Sequence, residues 1–205
     1  MPDHPEPLPS WLREGAGAFD ADVETNWLFR LRKERFRSRA SGRSHDFYVM
    51  HLADAVTVIA LTPDDSVVLV RQFRAGSARD SLEPPGGLLE PGEDPREAGP
   101  RELLEETGYA GEPAVLLATV WSLPSIMTSR TSTVLVTNAR LVREPKLDVN
   151  EEVVVELFPA SSIPRMIRDG EIDHSLAVLG LLTWFRHAAQ SRSAASHPDD
   201  EPRVS

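Results

Sequence analysis

The chain has no cysteine among its 205 residues, which excludes disulfides, thiolate metal sites and cysteine nucleophiles together. It also lacks any apolar run approaching the ~18 residues that a membrane helix needs. The first residues, MPDHPEPLPS, are polar and proline-rich and show no secretory signal, so a cytoplasmic protein with no membrane partner is expected. Basic residues are outnumbered 22 to 32, leaving a net charge of −10. That deficit argues against nucleic acid as a partner, because such binders need a basic surface to displace counterions from phosphates. The six histidines are scattered and form no HExxH pair, so nothing marks them as a metal site.

Apolar residues make up 40% of the chain, enough to bury one good core with a small accessory layer. Residues 1–20, rich in proline, glycine and charge, and a tail at 191–205 without apolar periodicity, are expected to be loose or disordered. Between them, 21–53 reads as a small β segment and 54–190 as the main domain. Trp27–Phe36 partly alternates apolar and basic residues, and Phe47–Leu52 offers a second strand after Ser41-Gly42-Arg43. The basic residues of 30–43 suit a solvated strand face or a phosphate-facing one. Ala55–Leu61 and Val67–Phe73 are apolar, β-branched runs separated by Thr62-Pro63-Asp64-Asp65, the pattern of a hairpin. Further strands are predicted at Val115–Trp121, Thr131–Thr137 and Glu152–Phe158. A short helix is predicted at Ser161–Arg168, stopped by Gly170, and a longer amphipathic one at Ser175–Ala189. Strands, one internal helix, strands and a final helix fit an α+β sandwich and not a regular βαβ repeat.

The run Gly87–Tyr109, GLLEPGEDPREAGPRELLEETGY, carries the chemistry. If Arg101–Thr107 is helical, Glu102, Glu105 and Glu106 stand at i, i+3 and i+4, so three carboxylates crowd one face with Glu93 close in sequence. A hard divalent cation such as magnesium would turn that repulsion into attraction, since it takes a few carboxylates and fills its other positions with water and substrate phosphate. A solvated acidic face would explain three glutamates alone. It does not explain seven fixed identities, whose chance match at roughly one in fifteen per position is on the order of one in a hundred million. Gly99 and Pro100 interrupt the helical pattern, and an interior proline costs about 3 kcal/mol. The helix is therefore expected to begin at Pro100 with Gly99 near the cap, or to kink between Arg96 and Gly99. Gly108 is placed to end it in a left-handed conformation.

Before this run, Arg71 and Arg74 end an apolar strand, placed either to clamp phosphates or to brace Glu83. The pair Gly86-Gly87 lets backbone approach a ligand closely.

The seven identities, Gly87, Glu93, Arg101, Glu102, Glu105, Glu106 and Gly108, match the Nudix box G-x5-E-x7-R-E-U-x-E-E-x-G-U, with Leu103 and Tyr109 as its bulky apolar residues. The chain thus resembles the Nudix hydrolases. The stretch LEPPGG, Pro124 sixteen residues after Gly108, and the segment IRDGEIDHSLAVLGLLTWF extend the resemblance to the ADP-ribose pyrophosphatase and nucleotide-sugar branch, over about Trp27–Phe185. The resemblance implies an α/β/α sandwich with a mixed sheet plus the small N-terminal β segment. It implies Mg2+ or Mn2+ as cofactor, and hydrolysis of a nucleoside diphosphate sugar (ADP-ribose, or a relative such as GDP-mannose) to nucleoside monophosphate and sugar phosphate.

The same resemblance implies metal ligands among the Gly86 carbonyl, Glu102, Glu105, Glu106 and Glu151, the last in the acidic segment Leu147–Glu152. The general base is then Glu151, Glu152 or Glu105. Substrate contacts are expected from Arg71, Arg74, Glu83, Arg130 and Trp27. Gly87, Glu93, Arg101 and Gly108 support the motif, with Arg101 orienting a box glutamate and Glu93 bracing the loop. Ser129 stands where strict ADP-ribose enzymes carry glutamate, and Val149 where some relatives have another acid, which keeps other nucleotide sugars in play. In relatives the N-terminal strands exchange across a two-fold axis, so a homodimer is expected. A housecleaning pyrophosphatase for nucleoside triphosphates or dinucleoside polyphosphates is the enzymatic alternative, and a non-catalytic nucleotide-sugar sensor the other.

Overall fold

A computed structural model describes residues 10–14, 21–26, 28–147 and 152–196, which fall into two compact units. Residues up to Ala53 together with Trp121–Ser129 form the first, and Asp54–Val120 with the chain from Arg130 onward the second.

In the first unit, β1 (Trp11–Arg13), β2 (Ala21–Thr25), β3 (Arg30–Ser38) and β4 (Ser44–His51) make an antiparallel sheet. β3 lies at its centre, paired with β4 along one edge and with β2 and β1 along the other. β3 starts at Arg30 and not at Trp27 because the Asn26 side chain accepts hydrogen bonds from the backbone of Leu28 and Phe29, at 2.9 and 3.0 Å, and so holds a turn there. Trp27 lies outside the described residues. The expectation that 1–20 is loose is corrected at Trp11–Arg13, where strand pairing is reinforced by an edge-on contact of the Trp11 and Phe47 rings, 5.6 Å between centroids. Four of the five basic residues of β3 meet carboxylates: Arg35 and Lys33 bind Asp46, Arg32 binds Asp22, and Arg37 binds Glu14. The Arg35 hydrogen bond, then that of Lys33, holds the Asp46 carboxyl well below the usual range. The phosphate-facing reading of this stretch finds no support in such pairing.

The second unit comprises β5 (Ala55–Leu61), β6 (Ser66–Arg74), β7 (Arg79–Glu83), β8 (Gly86–Leu88), α1 (Pro95–Thr107), β9 (Tyr109–Ala110), β10 (Val115–Trp121), β11 (Arg130–Val136), β12 (Arg140–Leu141), β13 (Val153–Pro159), a 3-10 turn (Ala160–Ser162), α2 (Ile163–Arg168) and α3 (Ser175–Ser196). Only the last residue of β10 belongs to the first unit. The main sheet runs β10-β11-β5-β6-β13, with β7 against β6 and β8 against β5. It is mixed: β11 is parallel to β5, whereas β6 and β8 are antiparallel to it. β5 and β6 form the hairpin read from Thr62–Asp65, closed by Asp65 at φ 61°.

Alternation along β5 sorts the core into two layers. Val56, Val58 and Ala60 face α1 through Ala98 and Leu103, while Ile59 faces the other side with Leu69, Met166, Ala177, Leu181 and Trp184 of β6, α2 and α3. The result is an α/β/α sandwich.

Three sequence expectations are corrected here. α1 begins at Pro95, not Pro100, and runs unbroken through Pro100 to Thr107, because Asp94 caps it by accepting the Arg96 N–H at 2.8 Å and Pro95 occupies the first turn, where a missing N–H costs nothing. Gly99 is a packing residue and not a cap: a Cβ there would come 2.5 Å from Val134 Cγ2. α3 continues to Ser196, past the boundary expected for a disordered tail. β7 and β8 are strands that the sequence pattern does not announce, because Arg-Asp-Ser-Leu-Glu and Gly-Gly-Leu have little β propensity; pairing of β7 with β6 and of β8 with β5 overrides it.

Candidate active site

Leu103 is fully buried and Ala98 likewise, and these two apolar contacts seat α1 on the sheet. With that face fixed, helical spacing carries Glu102, Glu105 and Glu106 toward the β8 side and outward. Glu106 is the most enclosed, 5% exposed, and accepts the Gly86 N–H at 3.0 Å. Glu102 lies against β8 so closely that a Cβ on Gly87 would fall 2.5 Å from its carboxyl carbon. A Cβ on Gly86 would meet the Val56 carbonyl at 2.1 Å. The space that the glycine pair keeps open is thus taken first by the protein's own oxygens.

One guanidinium organises the acids. Arg101 donates to Glu93 through Nε and Nη2, both at 2.9 Å, and through Nη1 to Glu102 at 2.8 Å and Glu105 at 3.2 Å. Its pKa is raised, first by the hydrogen bond to Glu93, and that same bond holds the Glu93 carboxyl below its usual value. Gly108 ends α1 at φ 74°, its N–H bonded to the Leu104 carbonyl, and a Cβ there would lie 2.0 Å from the Arg143 carbonyl. Val142 and Arg143 both donate to the Gly108 carbonyl, and the Lys146 N–H donates to the Glu105 carbonyl at 2.8 Å. The chain entering the acidic segment is therefore tied to the end of the box helix, a link that sequence reasoning missed because nothing in the side chains announces a backbone contact. Glu151 lies outside the described residues, and Glu152 is exposed just before β13.

The other anticipated contacts fall in several places. Arg74 grips Glu83 with two bonds, 2.7 and 3.0 Å, Glu83 being 4% exposed. That is the bracing alternative. Arg71 bonds Glu156 of β13 at 2.6 Å. Arg130 opens β11, exposed, with its backbone N–H on Asp54 at 2.7 Å. Sequence reasoning also passed over Arg79, Asp173 and His174, which meet beside Glu83: Arg79 pairs with Asp173, and His174 Nδ1 stands 3.7 Å from Glu83. The phrase GEIDHS was read only for family resemblance.

Among the described residues no three acidic or imidazole side chains already converge to hold a metal. Arg101 faces Glu102 and Glu105, and Gly86 faces Glu106. The donor chemistry nevertheless suits a hard divalent cation: three carboxylates on one helix face, all oxygen, and no competing thiol or imidazole in the motif. No described helix is long and apolar enough to cross a membrane.

A family model described as "NUDIX domain" matches residues 51–177. The "ADP-ribose pyrophosphatase" of Mycobacterium tuberculosis is 28% identical over 180 residues, covering 87% of this chain and 86% of that protein. The "ADP-sugar pyrophosphatase" of Mus musculus is 43% identical over 89 residues, covering 42% of this chain and 41% of that protein. Among solved structures, an "ADP compounds hydrolase" superposes with a TM-score of 0.76 over 91% of this chain and 98% of that one; at 20% identity this speaks for the fold.

Proposed function

Because the chain belongs to the Nudix family, we propose that it hydrolyses the pyrophosphate bond of a nucleoside diphosphate sugar, ADP-ribose or a close relative, to nucleoside monophosphate and sugar phosphate. The observation that carries this is the face of α1: three glutamates of one motif gathered beside a glycine strand, with Glu106 buried on the Gly86 amide.

Hydrolases of this family generally use divalent cations, and Glu102, Glu105, Glu106 and the Gly86 carbonyl would hold them here, Mg2+ or Mn2+ by the hardness of the donors. When bound, the cation supplies positive charge against the phosphate oxygens as the transition state forms. The chain's own residues do the remainder. Glu105, 42% exposed at its side chain, or Glu151 or Glu152 accepts a proton on a carboxylate oxygen from the attacking water. Arg101 fixes the rotamers of Glu102 and Glu105, and Glu93 in turn fixes Arg101. Gly87 leaves the room in which Glu102 lies.

Glu106→Gln removes a charge while preserving volume and an acceptor for the Gly86 N–H. Its turnover should fall by about two orders of magnitude or more while the melting temperature changes little. Near-wild-type release of monophosphate from ADP-ribose by this variant, measured with Mg2+, would end the proposal. A panel of ADP-ribose, GDP-mannose, UDP-sugars, nucleoside triphosphates and dinucleoside polyphosphates separates the nucleotide-sugar reading from the housecleaning one. Tight binding without any phosphate product would identify a sensor.

We further infer a cytoplasmic homodimer built through the N-terminal strands. The sheet of the first unit supports this by leaving Trp11, Leu12, Val23 and Tyr48 exposed.

A further inference from the structure

We propose that Thr107 is a positioning residue for the acidic face: its buried hydroxyl locks the last turn of α1 and so holds the carboxylates of Glu105 and Glu106 in place, an inference that rests on the hydrolase activity proposed above. Thr107 stands between the last box glutamate and the left-handed Gly108, at a position that the box pattern leaves open. It is 1% exposed, and its hydroxyl is used twice. The O–H donates to the Leu103 carbonyl one turn back in the helix, and Oγ1 accepts the Tyr109 N–H at 3.1 Å, across Gly108.

The second bond reassigns the partners of the helix end. Were α1 to continue, the Tyr109 N–H would bond the carbonyl four residues back, which is that of Glu105. Thr107 takes that N–H instead, and the Glu105 carbonyl accepts the Lys146 N–H at 2.8 Å from a separate segment. The Val142 and Arg143 N–H groups close on the Gly108 carbonyl at 2.9 and 3.3 Å, and Leu141 pairs with Tyr109 between β12 and β9. The turn that bears Glu105 and Glu106 is thus clasped by residues 140–146, and the Thr107 hydroxyl is the side-chain group through which this exchange of partners runs.

A lock matters more here than elsewhere on the helix. Glu105 and Glu106 lie in the final turn, where helices fray, and Glu102 repels both from one turn earlier. Side chains that share a ligand must be held to within about 0.5 Å by their surroundings. Arg101 restrains Glu105 and the Gly86 N–H restrains Glu106, but each holds only a side-chain end, whereas Thr107 fixes the backbone that carries both.

The test compares Thr107→Val, which keeps the β-branched shape and removes the hydroxyl, with Thr107→Ser, which keeps the hydroxyl. The first readout is the amide resonance of Gly86, which lies on β8 and donates to the Glu106 carboxylate. It should move in Thr107→Val and stay in Thr107→Ser. Mn2+ affinity, followed by the EPR signal of the free ion, should weaken about tenfold in the valine variant and hold within about twofold in the serine one. With ADP-ribose and Mg2+, kcat of Thr107→Val should fall about tenfold and KM stay within about twofold, because the geometry of the reacting centre is disturbed and substrate binding is not. These are measured well below the melting temperature of each variant, where lower stability alone moves none of them. An unmoved Gly86 resonance in Thr107→Val, an unchanged Mn2+ affinity, or a serine variant that behaves like the valine one would overturn the proposal and leave Thr107 as a helix stop. If the wild type neither cleaves ADP-ribose nor binds Mn2+, the hydrolase reading falls and the Gly86 resonance alone decides whether Thr107 holds Glu106. A shift with valine and none with serine supports it; no shift with valine, or the same shift with both, overturns it.

Discussion

Arg101 meets three carboxylates with one planar fork, and Glu93 takes the best of it: two parallel bonds, the geometry that favours arginine over lysine. The consequence for pH follows from the direction of the Glu93 shift. Its folded pKa lies below the usual 4.5, so the pair stabilises the protein fully above about that pH and loses its contribution as pH falls through the folded value. Glu93→Gln should therefore unfold at lower urea concentration than wild type at pH 7, and the gap should close at pH 3. Urea midpoints at both pH values check this, and an equal gap at each would mean that the ion pair is not the cause. Asp94 behaves in the same sense at the helix cap, where Arg96 holds it at about 2. The identities of these residues were legible in the chain. That Arg74 would close on Glu83 and not stand open to phosphate was not, because two arginines at a strand end look alike until the neighbouring strand is placed.

Among the elements, α1 shows how packing outweighs local preference. Gly99 and Pro100 would both weaken an isolated helix, by about 1 and 3 kcal/mol. Within the fold, Asp94 caps the helix and Ala98 and Leu103 bury against the sheet, so it forms all the same. Gly99→Ala sets two effects against each other: a gain of about 1 kcal/mol in helix propensity and an overpacking cost of about 1–3 kcal/mol from a Cβ 2.5 Å from Val134. The clash is with a buried side chain on a central strand, so a net loss of stability is expected. Val134→Ala should recover part of it, and a double-mutant cycle by urea denaturation should show coupling of at least about 0.5 kcal/mol. Additive losses would mean that Gly99 is present for some other reason. The strands that alternated or ran apolar, β5, β6, β10 and β11, were readable to within a residue at most ends; β7 and β8 were not, since their pairing partners supply what their own sequences lack.

For the whole molecule, the open question of physical consequence is what covers the apolar side chains of the N-terminal sheet. If two copies do so, sedimentation equilibrium at micromolar concentration should report a dimer, and Val23→Glu with Tyr48→Glu should shift it to monomer without lowering the melting temperature of the main unit. A wild-type monomer would remove the homodimer from the account. The chemistry was written in the chain, because a metal-dependent pyrophosphatase motif is local: seven identities within 22 positions of one another need only a helix to become one acidic face. The cluster beside Glu83 could not be read in that way. Ser81, Arg79 and Asp173 lie as much as 94 residues apart and become neighbours only when β7 joins β6 and α3 packs on the same sheet. Spacing along a polymer fixes which side chains share a face of one element, whereas contacts between distant segments exist only after the core has closed, which is why the motif was visible early and the surroundings of Glu83 were not.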